Sequence, residues 1–430
     1  MRAYSAYIER LRTLVGNTLK CDGTNRKRIL YALDGEPAAE LRRLIRPDIQ
    51  RASGAYFSGE QLSGRTAALL APRFSSKLAI VDPACGAGDL LIACSKYLPL
   101  CKNLKTTLLV WGRHLIGYDL HEEFTLAAKL RLALAALRRG AERSPITQED
   151  LDAAFPHIRA TDTLRSNIKL KATHLILNPP YTQQPSPSGC LWAEGNVSSA
   201  AVFLDRCLSR SLQGTQVVAI LPDVLRTGSR YERWRSYIQD ISTICRISVV
   251  GRFDQWADID VFLIKLIAGE STLRRRRTWW REPSTRSVKI KDFFNIHVGA
   301  VVPHRDQNKG PWRPYLSSKV SPPWRKIEVH KDKRRYGGRT FNAPFVAIRR
   351  TSSPSERMRA VSTIISKGQN IAVENHLLVA LPKKPSLAIC KRLLKLLKSD
   401  HSNHWLNNRM RCRHLTVSAI LGLPWLDSRQ

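Results

Sequence analysis

Between about residue 77 and residue 268, short β-rich runs alternate with stretches whose apolar positions recur at helical spacing. Residues 78–81 are followed by a helical pattern over 90–98, 115–117 by 126–137, 175–177 by 202–212, and 217–221 by 234–241. That alternation predicts a parallel sheet with crossover helices. A further run at 262–267 ends the regular part. Upstream, Tyr7, Ile8, Leu11, Leu14 and Val15, then Ile29, Leu30, Leu33, Leu41, Leu44 and Ile45, predict two or three helices that pack as an arm. Downstream, clusters of Pro, Gly, Ser and Arg separate short apolar runs at 345–348 and 377–381 from a basic helix over 387–397. Mixed α and β structure with long loops is expected there, and no internal repeat is visible.

Three domains follow from this pattern: a helical arm over 1–50, an α/β domain over 51–268 and a basic domain over 269–430. The length of 430 residues suits two or three domains, and 43% apolar residues rule out wholesale disorder. Charge changes the picture more. Residues 269–430 hold 34 basic and 10 acidic side chains, against 36 and 25 in the first 268 residues. An excess of that kind, concentrated in one segment, points to a polyanionic partner. Six of the ten tryptophans lie in the same segment, as core anchors or as platforms for bases.

The nine cysteines show no repeating spacing, and no basic-then-apolar leader opens the chain. A cytoplasmic protein with free thiols and without a membrane role is expected, since no apolar run approaches the roughly 20 residues that span a bilayer. A zinc site from His401, His404, Cys412 and His414 matches no strong ligand spacing, so no metal is assigned.

Three segments carry candidate chemistry. In Asp82-Pro83-Ala84-Cys85-Gly86-Ala87-Gly88 a strand runs into a glycine-bearing turn and a helix, where the backbone can approach a ligand or simply make an ordinary strand-to-helix turn. In Gly117-Tyr118-Asp119 the next strand ends on a carboxylate placed to accept ribose hydroxyls, or simply solvated. In Asn178-Pro179-Pro180-Tyr181 two prolines stop a buried strand and fix the directions of Asn178 and Tyr181.

Together these segments resemble the adenine-specific DNA methyltransferases of bacterial restriction-modification systems, in the motif order called gamma, of the type II modification kind. The resemblance covers roughly residues 51–268. It implies a Rossmann-like, S-adenosylmethionine-dependent methyltransferase sheet followed by a target-recognition domain. It also implies that Asp82, Ala84, Gly86 and Gly88 surround the methionine part of the cofactor, that Asp119 holds its ribose, and that Asp162 contacts its adenine. As a residue in a turn, Asp162 is open to an N-capping role as well. Tyr56, in Gly54-Ala55-Tyr56-Phe57-Ser58-Gly59, resembles the segment that closes over the cofactor, although Ser58-Gly59 replaces the usual Thr-Pro. Residues 251–261, with Asp254 and Asp258, resemble the late motif that shapes the base pocket.

By the same resemblance, Asn178 and Pro179 accept the amine hydrogens of a flipped-out adenine in double-stranded DNA, Pro180 stiffens the turn, and Tyr181 stacks on the base. Arg334, Arg335, Arg339, Arg349 and Arg350 lie in basic loops suited to phosphate and base-edge contacts, or to a merely solvated face. Methyltransferases that act on a glutamine side chain share Asn-Pro-Pro-Tyr but lack a long basic extension. Charge alone also admits RNA as the substrate, or a non-catalytic DNA-binding subunit of a defence complex. No nuclease constellation is visible, so a separately encoded restriction endonuclease is the expected partner.

Overall fold

The computed structural model describes residues 4–16, 23–44, 57–166, 168–254, 259–269, 278–280, 288–329 and 332–425. Tyr56, Asp258 and the basic run 274–277 lie outside the described residues. The chain divides into two compact units, Met1–Leu225 with Glu232–Arg277, and Arg226–Tyr231 with Thr278–Gln430.

The first unit is an α/β fold built on a seven-stranded sheet. Its strands are β1 (Ile80–Asp82), β2 (Leu115–Asp119), β3 (Ile158–Ala160), β4 (His174–Leu177), β7 (Gln216–Pro222), β8 (Ser242–Arg252) and β9 (Asp260–Ala268), with a small antiparallel pair, β5 (Gln183–Pro185) and β6 (Asn196–Ser198), beside it. The order across the sheet is β3-β2-β1-β4-β7-β9-β8. β1 to β4 and β7 pair in parallel, while β9 runs antiparallel between β7 and β8. Every residue of β4 and all but the first of β7 are buried, which is why these strands read as unbroken apolar runs. β8 lies at the edge and, apart from Ser242, Ile244 and Gly251, is at least partly accessible.

Helices supply the layers that cover this sheet. Asp89–Ser95 follows β1, Glu122–Arg138 follows β2 and Ser199–Ser209 precedes β7. The N-terminal helix Ser5–Gly16 buries Tyr7, Ile8, Leu11 and Val15, the residues its periodicity selects, in the same core as the Glu122–Arg138 helix. Tyr4 meets the Phe124 ring edge-on at 5.1 Å. The arm therefore contributes to the core of this unit.

The second unit is built on a five-stranded sheet of β10 (Phe294–Val298), β12 (Lys326–Glu328), β14 (Phe345–Arg349), β15 (Ser362–Lys367) and β17 (Leu377–Pro382). They lie in the order β10-β17-β14-β15-β12, between two apolar layers. From β14 and β17, Val346, Ile348, Leu378 and Ala380 join a core with the helices Leu387–Leu397, Asp400–Arg409 and Val417–Leu421. Phe345, Ala347, Leu377 and Val379 point the other way, into a core with Leu316 and Phe341. The two-residue period of a strand thus explains two runs that show no polar alternation. A smaller sheet of β11 (Trp312–Leu316), β13 (Lys333–Arg335) and β16 (Ala372–Val373), with β11 in the centre, completes the unit. Among the described residues, no helix is long and apolar enough to cross a membrane.

Candidate active site

In the first unit β1 and β4 are neighbours, and the chain leaves β1 toward β2 on one side and β4 toward β7 on the other, so the connections from their carboxyl ends run in opposite directions. Such a switch point opens a crevice at the strand ends. A cavity of about 830 Å³ occupies it, walled by Asp82, Ala84, Gly86, Asp119, Asp162, Asn178 and Pro180, together with Phe57, Ser58, Asp89, Phe203 and Arg206.

The turn after β1 forms the floor. Gly86 and Gly88 have φ of 49° and 87°, a region that favours glycine. A Cβ on Gly88 would also lie 2.9 Å from the Ala128 Cβ, so only glycine lets the turn sit against that helix. Asp119, at the end of β2, accepts the Gly86 N–H on Oδ2 at 2.9 Å and the His121 N–H on Oδ1 at 3.0 Å. Burial raises its pKa, with those backbone donors opposing. Asp82 is 1% exposed and accepts the Ala84 N–H at 3.1 Å. Burial pushes its carboxyl well above the ordinary range; the Ala84 donor opposes this, while the Asp119 and Asp89 charges add to it. Asp162 caps its own turn, accepting the Leu164 and Arg165 N–H groups on Oδ1 at 3.0 and 3.1 Å, and also walls the cavity.

At the end of β4 the Asn178 side chain is bonded at both ends. Its Nδ2 donates to Ser58 Oγ at 3.0 Å, and its Oδ1 accepts from the Tyr181 hydroxyl at 2.6 Å. The Tyr181 ring meets Phe253 edge-on, with centroids 5.9 Å apart. Tyr181, Pro179 and Gly88 do not themselves wall the cavity. Asp254 is described, but it is not among the wall residues.

Sequence patterning does not expose the hub beneath this site. Arg131 is fully buried in the Glu122–Arg138 helix; it pairs with Asp89 Oδ1 at 2.8 Å and donates to the carbonyls of Ala32, Leu33 and Ala87. Burial works against its charge, yet Asp89 together with Tyr7 and Tyr4 outweighs this and the pKa is raised. Asp89 Oδ2 also accepts the Gly59 N–H at 2.9 Å. The one local signal is an arginine between Leu130 and Leu132 in an otherwise apolar helix face.

No family model matches the sequence, and no curated protein matches it. Solved structures do resemble it in part. The type IIL restriction-modification enzyme MmeI in complex with DNA matches over 97% of this chain and 66% of its own, at 10% identity and a TM-score of 0.48. The M protein of the type I restriction enzyme EcoKI matches over 64% and 65%, at 16% identity and a TM-score of 0.39. A type I restriction-modification methyltransferase subunit from Streptococcus thermophilus matches over 54% and 49%, at 14% identity and a TM-score of 0.37. In each case the chain spans less than two thirds of the matched protein. The site itself therefore carries the functional information.

In the second unit the five candidate arginines divide into two groups. Arg335 is exposed and stacks over Trp312, itself 61% exposed, with the guanidinium 5.7 Å from the ring centre. Arg339 is exposed over Phe341 at 5.2 Å. Arg334, Arg349 and Arg350 are half-buried and donate to the carbonyls of Asp306, Ser321 and Asn375 at 2.7, 3.1 and 3.5 Å. Chemically the first group offers solvated charge on an aromatic platform, while the second is partly committed to holding loops.

Proposed function

We propose that the chain is a site-specific DNA adenine methyltransferase. It moves a methyl group from S-adenosylmethionine to the N6 amine of a flipped-out adenine in double-stranded DNA, with residues 269–430 reading the target. Its biological setting is a restriction-modification system whose nuclease is a separate protein. One observation carries the reading: the glycine turn, Asp119 and the doubly bonded Asn178 wall a single cavity at the sheet's switch point.

The residues present fit the cofactor. A carboxylate has about four acceptor positions, so Asp119 keeps capacity for ribose hydroxyls beyond the backbone N–H groups it already takes. The positive-φ turn brings backbone close to the cavity where a bulky residue would intrude. When bound, S-adenosylmethionine supplies an activated methyl group.

The protein's own work is positioning. The lone pair of adenine's exocyclic amine is delocalised into the ring, so acceptors on its hydrogens favour a nucleophilic geometry. Asn178 Oδ1 supplies one such acceptor. In the structure it takes the Tyr181 hydroxyl, the same acceptor role that the amine would use. In this reading the Pro179 carbonyl is the other acceptor and the base stacks on the Tyr181 ring, both residues adjoining the wall residues Asn178 and Pro180 in sequence. Basic residues of the second unit attract the duplex by its phosphates.

Modified-base sequencing of DNA from a methylation-free host expressing the chain tests this. Wild type should place methyladenine at one recurrent motif. Asn178→Ala should abolish the mark while still binding S-adenosylmethionine in calorimetry, whereas Asp119→Ala should lose that binding. A well-folded wild type that leaves no mark would move the substrate to RNA or to a protein amide.

A further inference from the structure

Asn178 is useful only if one particular atom of its amide faces the substrate. Oδ1 accepts, whereas Nδ2 donates and would oppose an incoming amine. The Tyr181 hydroxyl does not impose that choice, because a hydroxyl can serve either atom. Another tie is Nδ2 to Ser58 Oγ at 3.0 Å. Ser58 also walls the cavity, and its own hydrogen remains available to an acceptor bound there. Once that hydrogen is committed, Ser58 can only accept from Asn178, and the amide has one polarity.

Ser58 is also held in place. On one side Phe57 packs over the glycine turn, where a Cβ on Gly86 would come 3.0 Å from its ring, and meets Phe124 edge-on at 5.6 Å. On the other side the Gly59 N–H is bonded to Asp89, whose second oxygen is paired with Arg131. A short segment tied on both flanks gives the hydroxyl between them a defined position. We propose that Ser58 is a positioning residue for methyl transfer, holding the Asn178 amide by Nδ2 so that Oδ1 is presented to the substrate amine. The proposal rests on the methyltransferase reading above.

The full-length protein labelled with [15N]asparagine gives a readout independent of turnover. The Asn178 side-chain NH2 pair is identified by its absence from Asn178→Ala. Ser58→Ala should shift and broaden that pair, and should slow single-turnover transfer of tritiated methyl from S-adenosylmethionine to methylation-free genomic DNA by roughly ten- to hundred-fold. Single-turnover rates are read at saturating cofactor, so that any bond the Ser58 hydroxyl itself gives to a bound ligand drops out and the slowed step is transfer. Ser58→Thr keeps the hydroxyl and should restore most of the signal and the rate. An unmoved NH2 pair in Ser58→Ala, or an unchanged rate at saturating cofactor, would each overturn the proposal. If wild type labels no DNA, the DNA reading fails by itself, and the NH2 pair still decides whether Ser58 holds Asn178.

Discussion

The first unit buries its polar chemistry and the second displays it. In the first, Asp82, Asp119 and the Asp89–Arg131 pair lie beneath or along one cavity, each satisfied by backbone or by an opposite charge. In the second, Arg335 and Arg339 stand exposed over aromatic rings. On the proposed function, the difference follows from what each surface is asked to meet. A small ligand that must be aligned to within a fraction of an ångström needs preorganised, water-excluded partners. A polyanion is met through long-range attraction, which works best from solvated, mobile charges. Buried partners influence stability strongly, whereas exposed ones change affinity with little effect on the fold.

The sharpest way to break that contrast is at the hub. Replacing Arg131 by Met leaves the Asp89 carboxylate, with a side chain only 9% exposed, without its counter-charge and removes the donors to three carbonyls. Loss of one partner from a buried pair costs about 3–5 kcal/mol. The midpoint of denaturant unfolding should fall accordingly, and the N-terminal helices, tied through Ala32 and Leu33, should become protease-sensitive. A change of less than about 1 kcal/mol, the size seen for exposed pairs, would mean that the hub is no more than a surface bridge in effect.

Asp82 sharpens the contrast in the opposite direction. Its carboxyl is raised in the folded protein, chiefly by burial, so the native state holds the proton more tightly than the unfolded chain does. Stability therefore falls as pH rises from the unfolded carboxylate value to the folded one, and the whole penalty is present above the latter. Asp82→Asn keeps an oxygen for the Ala84 N–H and removes the charge. At neutral pH its Tm should exceed that of wild type by about 2–4 °C. The gap should close in acid, where both forms are neutral. A Tm below wild type at neutral pH would show that the carboxylate is stabilised by partners stronger than the Ala84 amide.

The two units are also unequally legible in the sequence. Each motif of the first is contiguous, because a strand end, its turn and the next helix start all lie within a few residues; the positions of Asp82, Asp119 and Asn178 at three strand ends can therefore be anticipated. Coupling across distant segments cannot. Ser58 meets Asn178 over 120 positions and Arg131 meets Ala32 over 99, and no local pattern encodes such a contact. The edge strand β8 is hidden as well, its alternation blurred by register shifts against β9. In the second unit strands buried on both faces look like any apolar run, and the sheet order joins β10 to β17 and β12 to β15 across long connections. Which arginines are exposed is equally invisible, since Arg334 and Arg335 are adjacent in sequence yet one is half-buried and the other exposed.

That adjacent pair provides the smallest expected effect and the finest test. Arg335 stands over the exposed Trp312 ring, while Arg334 donates to the Asp306 carbonyl from beside Tyr315. If the displayed surface meets phosphate, Arg335→Ala should weaken binding to a random-sequence duplex. It should also lower the slope of log affinity against log salt by about one, the value for one phosphate contact. Its Tm should stay at that of wild type, because the lost cation–π contact is solvated and worth only about 0.5–1 kcal/mol. Arg334→Ala should show the reverse, a lower Tm from the freed Asp306 carbonyl with a smaller change in slope. Equal slopes in wild type and Arg335→Ala would remove the Trp312 platform from the DNA interface. Equal Tm losses in the two variants would show that the exposed arginine holds the fold as much as its neighbour does, and that burial alone does not separate binding from structure in this unit.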